Sequence, residues 1–354
     1  MATPQPARVL ENFKIPAGLR ELQPISEGLI NDTFRVSIPN SDGYVLQRIN
    51  TEVFPDPDAL MENLERILPK LRGDGYRQLE LIRTTDGRAW YQNAGSGAWR
   101  LYKFIPGSQT ISDAQQPGVA RETGRILGRF HQLLQDTDPG MLHPVLPGFH
   151  DLGLRMQQLN AAETQGLPDR VARGRKLAEQ ARVLASQMDA IRLDTLPTRV
   201  CHNDPKLSNI LFSTGLRPKA LCLIDLDTLM PGALLFDFGD AGRTLINSLA
   251  EEQPEDGTNE IDWRAYREFC QGFAAACPEL SAAESASLPY GLLLMPLLHG
   301  ARALADYYLG DLHYKVSYET QNLVRARNLL RVAGTAGEEI NRLRETWVAA
   351  REET

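Results

Sequence analysis

The segment 199-RVCHNDPKLSNILF-212 places a His, two Asn, an Asp and a Lys within eight residues, between apolar residues typical of a buried strand. Such polarity has two ordinary explanations. The segment is either a turn whose side chains cap its own backbone, or a loop that holds a charged ligand.

The residues after this loop predict a hairpin. The runs 209-NILF-212 and 220-ALCLID-225 have the pattern of two short strands with a tight connection. Because a hairpin returns the chain to its start, we expect Asp225, and with it Asp227, to lie near Asn209. Oxygen ligands without His or Cys suit Mg²⁺, so these three residues are candidate magnesium ligands.

Length, composition and charge limit the classes of protein to which this chain can belong. A chain of 354 residues predicts about two domains, and 42% hydrophobic residues suffice for an ordinary core. With 38 basic and 45 acidic residues, the net charge of −7 argues against a nucleic-acid-binding protein.

The expected location is the cytoplasm. No basic and apolar signal sequence opens the chain, and the most apolar run, 288–304, is interrupted by Pro and Gly, so no membrane partner is expected. The cysteines are scattered without a C-x-x-C pair, as in a reducing compartment: Cys201, Cys222, Cys270 and Cys277.

The pattern of elements changes near Pro106-Gly107. Before it, we predict a small domain (residues 1–104) with one helix at 58–72 and strands at 33–39, 44–49, 79–84, 88–93 and 98–105. After it, we predict a mainly helical domain (105–354) with helices at 117–135, 150–164, 169–190, 261–276, 283–309, 316–333 and 336–352. The cleft between the two domains is the default ligand site.

The polar loop has the spacing H-x-D-x-x-x-x-N, from His202 through Asp204 to Asn209, with Lys206 inside it. It resembles the catalytic loop of the protein-kinase superfamily. The pair Ile224-Asp225 extends the resemblance to the aminoglycoside phosphotransferase branch. Within that branch, N-acetylhexosamine 1-kinases are similar in both halves of the chain, at 27–36, 45–64, 221–243 and 300–316. The resemblance implies an α+β, bilobal, protein-kinase-like fold.

The resemblance also implies a reaction and roles for the loop residues. The γ-phosphate of ATP would pass to the anomeric hydroxyl of a small sugar, an N-acetylhexosamine. Asp204 would accept and orient that hydroxyl, and Lys206 would lie beside the γ-phosphate. Asn209 and Asp225 would hold Mg²⁺ between the phosphates.

The nucleotide is expected against the first domain. The turn 26-SEGLINDTF-34, with Gly28, Asn31 and Thr33, offers backbone N–H groups to phosphates, although an ordinary Asn-Asp turn has the same pattern. The resemblance favours the first interpretation.

A cation is expected on the strand 44–49. If Leu46 lines the adenine site, Arg48 shares its face and takes the place of the strand Lys of protein kinases, although Gln47 is the alternative. Its partner would be Glu65, which flanks the apolar stripe of the helix. A solvent-facing Arg48 and a surface Glu65 are the simpler interpretation.

The sugar is expected against the second domain. By resemblance, Arg302 contacts the hexose, while His313 and Tyr314 wall the pocket; His313 stands where the family tends to have an aromatic residue. Arg302 and Asp306 are one helical turn apart, which is also the spacing of a surface ion pair.

Three further residues have structural interpretations. His202 would steady the loop, Cys201 would be a buried thiol, and Asp237 of the D-F-G sequence would anchor the loop from below instead of binding metal. The open alternatives for function are a kinase for another alcohol such as an aminoglycoside, a non-catalytic nucleotide-binding module, and a metal-dependent glycosyltransferase with Asp225-Leu226-Asp227 as its D-x-D.

Overall fold

The computed structural model of this protein describes residues 6–18, 20–25, 30–93, 97–246 and 260–353. These residues form three antiparallel sheets. Their strands are β1 Glu21–Ile25, β2 Asp32–Ser37, β3 Tyr44–Ile49, β4 Tyr91–Asn93, β5 Gly97–Lys103, β6 Ser108–Gln109, β7 Thr198–Cys201, β8 Ile210–Ser213, β9 Ala220–Leu223 and β10 Met230–Ala233.

Helices make up most of the remainder. They are α1 Pro6–Val9, α2 Pro57–Ile67, α3 Val119–Leu134, α4 Leu152–Gln165, α5 Pro168–Gln187, α6 Leu234–Ile246, α7 Trp263–Ala274, α8 Ala282–Ser287, α9 Gly291–Leu309, α10 Gln321–Glu338 and α11 Ile340–Glu352. Short 3₁₀ turns lie at Leu10–Asn12, Pro139–Met141, Met188–Ala190, Leu193–Thr195, Leu207–Asn209, Leu226–Thr228 and Leu288–Tyr290. No helix in the described ranges is long and apolar enough to cross a membrane.

The N-terminal sheet has the strand order β1-β2-β3-β5-β4. Helix α2 follows β3 and begins at Asp56, whose carboxylate accepts a hydrogen bond from Ala59 N at 3.0 Å, with Pro57 in the first turn. The strand predicted at 79–84 does not form, because its residues contribute only isolated bridges, from Leu81 to Tyr102 and from Thr84 to Phe13.

The two faces of this sheet belong to different cores. One face packs under the N-terminal segment in a small core of Val9, Leu10, Phe13, Val36, Ile38, Leu46, Trp99 and Leu101. The other face contributes Ile49, Ala98 and Tyr102 to the main core, which continues through the helical part of the chain. This second face, here called the cleft face, looks toward the helices.

Helix α9 lies at the centre of the helical part and is buried along most of its length. The single helix predicted for 283–309 is divided into α8, a 3₁₀ turn and α9. Ser281 and Glu284 form a capping box that starts α8, and Pro289 lies in the turn before α9, where it has no N–H to continue a helical ladder.

We propose a division of the chain into an N-lobe, residues 1–104, and a C-lobe, residues 105–354. It is supported by the change of sheet between β5 and β6, since β6 pairs with β8 of the C-lobe. The buried side chain of Asn63 on α2 ties the lobes together. Its amide donates to His143 O at 2.8 Å and to Leu229 O at 3.0 Å, and accepts from His143 N at 2.8 Å.

Candidate active site

The polar loop, residues 202–209, joins β7 to β8 and is fixed from below. The buried carboxylate of Asp237 on α6 accepts hydrogen bonds from His202 N at 2.8 Å and Asn203 N at 2.7 Å. Gly239 of the D-F-G sequence lies against Gly291 on α9, where a Cβ would come within 2.3 Å of Gly291 O. The prediction that Asp237 anchors the loop is confirmed, and the glycine serves helix packing.

His202 and Asn203 shape the loop from inside. His202 is buried, with Nε2 at 2.9 Å from Ile224 O, as the structural interpretation predicted. Asn203 has a left-handed backbone, with φ of 65°, and its amide contacts Cys201 O, Thr228 O and Met230 O at 3.0–3.2 Å. The role of Asn203 was missed, although Asn is the usual non-glycine residue in such a conformation.

Asp204, Lys206 and Asn209 form one hydrogen-bonded cluster. Asp204 Oδ2 accepts from Lys206 Nζ at 2.9 Å and from Asn209 Nδ2 at 3.0 Å, and Asn209 Nδ2 also meets Asp204 O at 2.9 Å. The loop therefore does cap its own backbone. Yet the Asp204 and Lys206 side chains stay 18% and 31% exposed, and Asp204 Oδ1 accepts no hydrogen bond from the described residues. That oxygen therefore remains available to a hydrogen-bond donor from outside the loop.

The hairpin of β8 and β9 brings Asp225 to this cluster as predicted. Ile210 pairs with Leu223, and Ile224 N donates to Asn209 O at 2.8 Å. Burial, followed by the charges of Asp227 and Asp204, raises the pKa of Asp225 to about 6. A buried carboxylate with too few nearby cations, beside the amide of Asn209, is a suitable ligand set for a divalent ion.

Asp227 has a different environment from the one predicted. Its Oδ2 accepts from Asn31 Nδ2 at 2.7 Å, and its Oδ1 forms an ion pair with Arg100 Nη1 on β5. The side chains of Arg100 and Asp227 are only 0% and 3% exposed. Because both carboxylate oxygens contact N-lobe residues, this geometry gives Asp227 a bridging place between the lobes.

The register of the N-terminal sheet corrects the expected face of β3. Gln47 lies opposite Arg100 and Thr33, and Arg100 Nε donates to Gln47 Oε1 at 3.0 Å. Leu46 instead lies in the small core beneath the N-terminal segment. Since side chains alternate along a strand, Thr33, Gln47 and Arg100 share the cleft face and Arg48 points to the opposite one.

The expected pair of Arg48 and Glu65 does not form among the described residues. Arg48 Nη1 lies 3.5 Å from Asp32 Oδ2, and Glu65 pairs with Arg83. Both pairs are substantially exposed, which agrees with the simpler interpretation of a solvent-facing Arg48 and a surface Glu65. Gly28 lies outside the described residues.

On the side where the sugar was expected, the residues near the end of α9 are held by Asp306. Its buried carboxylate accepts from His313 N at 2.9 Å, Tyr314 N at 3.0 Å and Asn322 Nδ2 at 3.1 Å. Asp306 therefore orders the segment after α9 and is not the ion-pair partner of Arg302. His313 is exposed and Tyr314 half-buried.

Arg302 lies over the ring of Phe149, with Cζ 5.3 Å from the ring centroid. A second cation, Arg155, lies near: burial and then the charge of Arg302 lower the pKa of Arg155. Arg325 Cζ lies 4.7 Å from the Tyr314 ring centroid. This side of the site is therefore lined by arginines stacked on aromatic rings.

A buried polar network lies beneath the polar loop, and sequence patterns gave no sign of it. His150 Nε2 lies 2.9 Å from Asn203 O, and His299 Nε2 lies 3.3 Å from Asp240 Oδ1, which also accepts from Arg243 Nε at 2.7 Å. Burial alone would raise the pKa of Asp240, but Arg243 and His299 together lower it strongly.

Similarity to known proteins agrees with this geometry. An aminopropanol kinase associated with a microcompartment has a TM-score of 0.65 and 18% identity, covering 95% of this chain and 97% of that one. An amicoumacin kinase in complex with AMP-PNP and Ca²⁺ has a TM-score of 0.60 and 15% identity, covering 92% and 91%. A choline kinase from Cryptosporidium parvum has a TM-score of 0.58 and 12% identity, covering 95% and 96%.

At such identities the solved structures establish the fold, which is the bilobal, kinase-like one that the resemblance implied. The sequence model of the phosphotransferase enzyme family matches residues 21–274, more than two-thirds of the chain. The match includes the polar loop, the hairpin with Asp225 and the N-terminal sheet. The chain belongs to the phosphotransferase enzyme family.

Proposed function

We propose that this protein is an ATP- and Mg²⁺-dependent kinase that phosphorylates the anomeric hydroxyl of an N-acetylhexosamine. The observation that carries the kinase assignment is the cluster of Asp204, Lys206 and Asn209 beside Asp225. Three of these residues are joined by hydrogen bonds of 2.9–3.0 Å, and no described residue donates to Oδ1 of Asp204.

The roles follow from the positions of the charges. Asp204 Oδ1 orients the acceptor hydroxyl and takes its proton as the new O–P bond forms and the bond from the γ-phosphorus to the β-phosphate oxygen breaks, releasing ADP. Lys206 holds Asp204 and supplies a positive charge beside the transferred group. Asn209 and Asp225 would hold Mg²⁺, which neutralises phosphate charge when it is bound.

The lining of the acceptor side supports a neutral sugar over an amino alcohol. A cationic acceptor is normally bound by acidic groups or open aromatic faces. Here Arg302 and Arg325 already stack on the rings of Phe149 and Tyr314, so these rings are occupied by the protein's own cations. A sugar can instead accept hydrogen bonds from the arginines, and the sequence resemblance of segment 300–316 to N-acetylhexosamine 1-kinases supports the same substrate class.

The test is acceptor-dependent ADP formation with a panel of alcohols. We expect turnover with N-acetylglucosamine or N-acetylgalactosamine and little with ethanolamine, choline or an aminoglycoside. Turnover with only the amines would leave the kinase assignment intact and overturn the acceptor class. Nucleotide binding without turnover on any acceptor would favour the non-catalytic module.

The variant Arg302→Gln tests the acceptor side separately. It should raise the KM for the sugar about tenfold, the value of one hydrogen bond to a charged group, and leave the KM for ATP unchanged. Arg173→Gln is a matched control, because Arg173 is an exposed C-lobe arginine paired with Glu319.

A further inference from the structure

The cleft face of the N-terminal sheet carries a buried cation that the sequence did not reveal. Arg100 is central in β5, and its guanidinium is fully buried between the lobes. Its neighbour on β3, Gln47, is neutral, so Arg100 supplies the positive charge on this pair of strands that faces the C-lobe.

Two of the three nitrogens of Arg100 have partners. Nε donates to Gln47 Oε1 at 3.0 Å, and Nη1 forms the ion pair with Asp227 Oδ1. Nη1 and Nη2 are both buried, and neither donates a well-aligned hydrogen bond to a described residue, so Nη1 has only the ion-pair contact. A buried guanidinium nitrogen without an acceptor costs free energy, so an acceptor from a ligand would be favourable here.

The position of Arg100 limits the chemistry of that ligand. Asp227, its ion-pair partner, is two residues from Asp225 at the start of the same 3₁₀ turn. The free nitrogen therefore lies in the part of the cleft where a metal-bound polyphosphate would be held by Asn209 and Asp225. A guanidinium is well suited to phosphate oxygens because of its planar set of donors.

We propose, on the basis of the proposed function, that Arg100 binds the non-transferred phosphates of the nucleotide and that Asp227 positions it for this purpose. Asp227 fixes one edge of the guanidinium through Nη1, leaving Nη2 for phosphate. Arg100 on β5 would thus be the phosphate-binding cation, with Asp227 of the 3₁₀ turn as its acidic partner. These are the roles that were expected of Arg48 and Glu65. Because the guanidinium is enclosed, entry of the nucleotide requires some opening between the lobes.

The competing explanation is that Arg100 and Asp227 only brace the lobes. A single substitution cannot separate the two explanations, since it leaves one charge buried and unpaired. The paired variant Arg100→Gln/Asp227→Asn removes both charges and should keep the fold, which circular dichroism and thermal unfolding would verify. Arg88→Gln, at an exposed N-lobe arginine paired with Asp86, is the matched control for loss of charge.

The experiment is equilibrium binding of ADP and of adenosine, both with Mg²⁺, to the full-length protein. The paired variant should bind ADP at least about tenfold more weakly, the value of a charge-assisted hydrogen bond, and adenosine equally well. The conservative variant Arg100→Lys should retain part of the ADP affinity, because its charge remains. A merely bracing pair would not distinguish ADP from adenosine.

The failures are distinguishable. A wild-type protein that binds no ADP overturns the proposed function, and this inference with it. Wild-type binding of ADP together with unchanged ADP affinity of the paired variant overturns the inference alone. A loss of ADP affinity in Arg48→Gln, with none in the paired variant, would restore the role that the sequence predicted for Arg48.

Discussion

Two ion pairs at this site are held in opposite ways. Asp204 and Lys206 lie in one loop and keep side-chain exposures of 18% and 31%, and Oδ1 of Asp204 accepts from no described residue. Arg100 and Asp227 come from different lobes and are almost completely buried. The first arrangement keeps an acid accessible to an acceptor, whereas the second fixes a cation where water does not compete for it.

The largest expected effect breaks the exposed pair. Asp204→Asn keeps an oxygen that can accept from Lys206 and Asn209 but cannot take a proton. The value of kcat should fall about 10²–10⁴-fold, while the midpoint of thermal unfolding and the affinity for ADP change little. Steady-state kinetics and calorimetry measure both. A kcat within tenfold of the wild-type value would contradict the role given to Asp204.

Substitutions in the buried pair of Arg100 and Asp227 should change the stability of the fold. Arg100→Gln alone leaves Asp227 buried without its cation and should lower the free energy of unfolding by about 3–5 kcal/mol. Adding Asp227→Asn should recover most of the loss, since no charge is then left unpaired. Urea unfolding of both variants measures this. Equal losses in the single and paired variants would show that the ion pair does not determine stability here.

The network under the polar loop should make stability depend on pH. Burial, and then the charge of His299, lower the pKa of His150 from 6.5 to about 4, although Asp240 and Asp237 oppose this. Between pH 4 and pH 6.5, His150 is protonated in the unfolded chain but neutral in the folded one. Below pH 6.5, the free energy of unfolding should therefore decrease as the pH is lowered. His150 alone should account for a loss of about 2 kcal/mol at pH 5.

His150→Gln is the matched variant for that prediction, because its amide can still donate to Asn203 O. Urea unfolding of both proteins between pH 7 and pH 5 gives the comparison. The stability advantage of the wild-type protein should shrink toward pH 5. Parallel stability curves would mean that His150 does not contribute.

The smallest effect is expected at the surface pair of the same sheet. Arg48 and Asp32 are exposed and 3.5 Å apart, so Arg48→Gln should change the free energy of unfolding by less than about 1 kcal/mol. Chemical denaturation measures it. A loss as large as that of Arg100→Gln would contradict the distinction between the two faces of the sheet.

The predictions from sequence succeeded where the geometry is local. Asp204, Lys206 and Asn209 lie in one loop, and a tight hairpin delivers Asp225, so spacing alone brings them together. The predictions failed where the register of strand pairing decides which face of the sheet a side chain occupies. The assumption that Leu46 lines the cleft reversed every side chain of β3, and only the pairing of Gln47 with Arg100 reveals the true face.

The buried network could not have been predicted for a related reason. His150, Asp240 and His299 lie on separate elements, and nothing in their local sequence distinguishes them from core histidines or a surface acid. The contact between Asp240 and His299 arises from the packing of α6 against α9, for which Gly239 and Gly291 provide the close approach. The division of the helix predicted for 283–309 had a local signal in Pro289, which was weighed against a membrane span but not against one continuous helix.

The central claim is that the polar loop transfers phosphate to a sugar. The most direct test is the ³¹P NMR spectrum of the protein with Mg-ATP and N-acetylglucosamine or N-acetylgalactosamine. We predict a new sugar 1-phosphate doublet, split by the anomeric proton, that grows as the γ-phosphate signal declines and is absent with Asp204→Asn. An unchanged γ-phosphate signal with every sugar, in a protein that binds ADP, would contradict the claim.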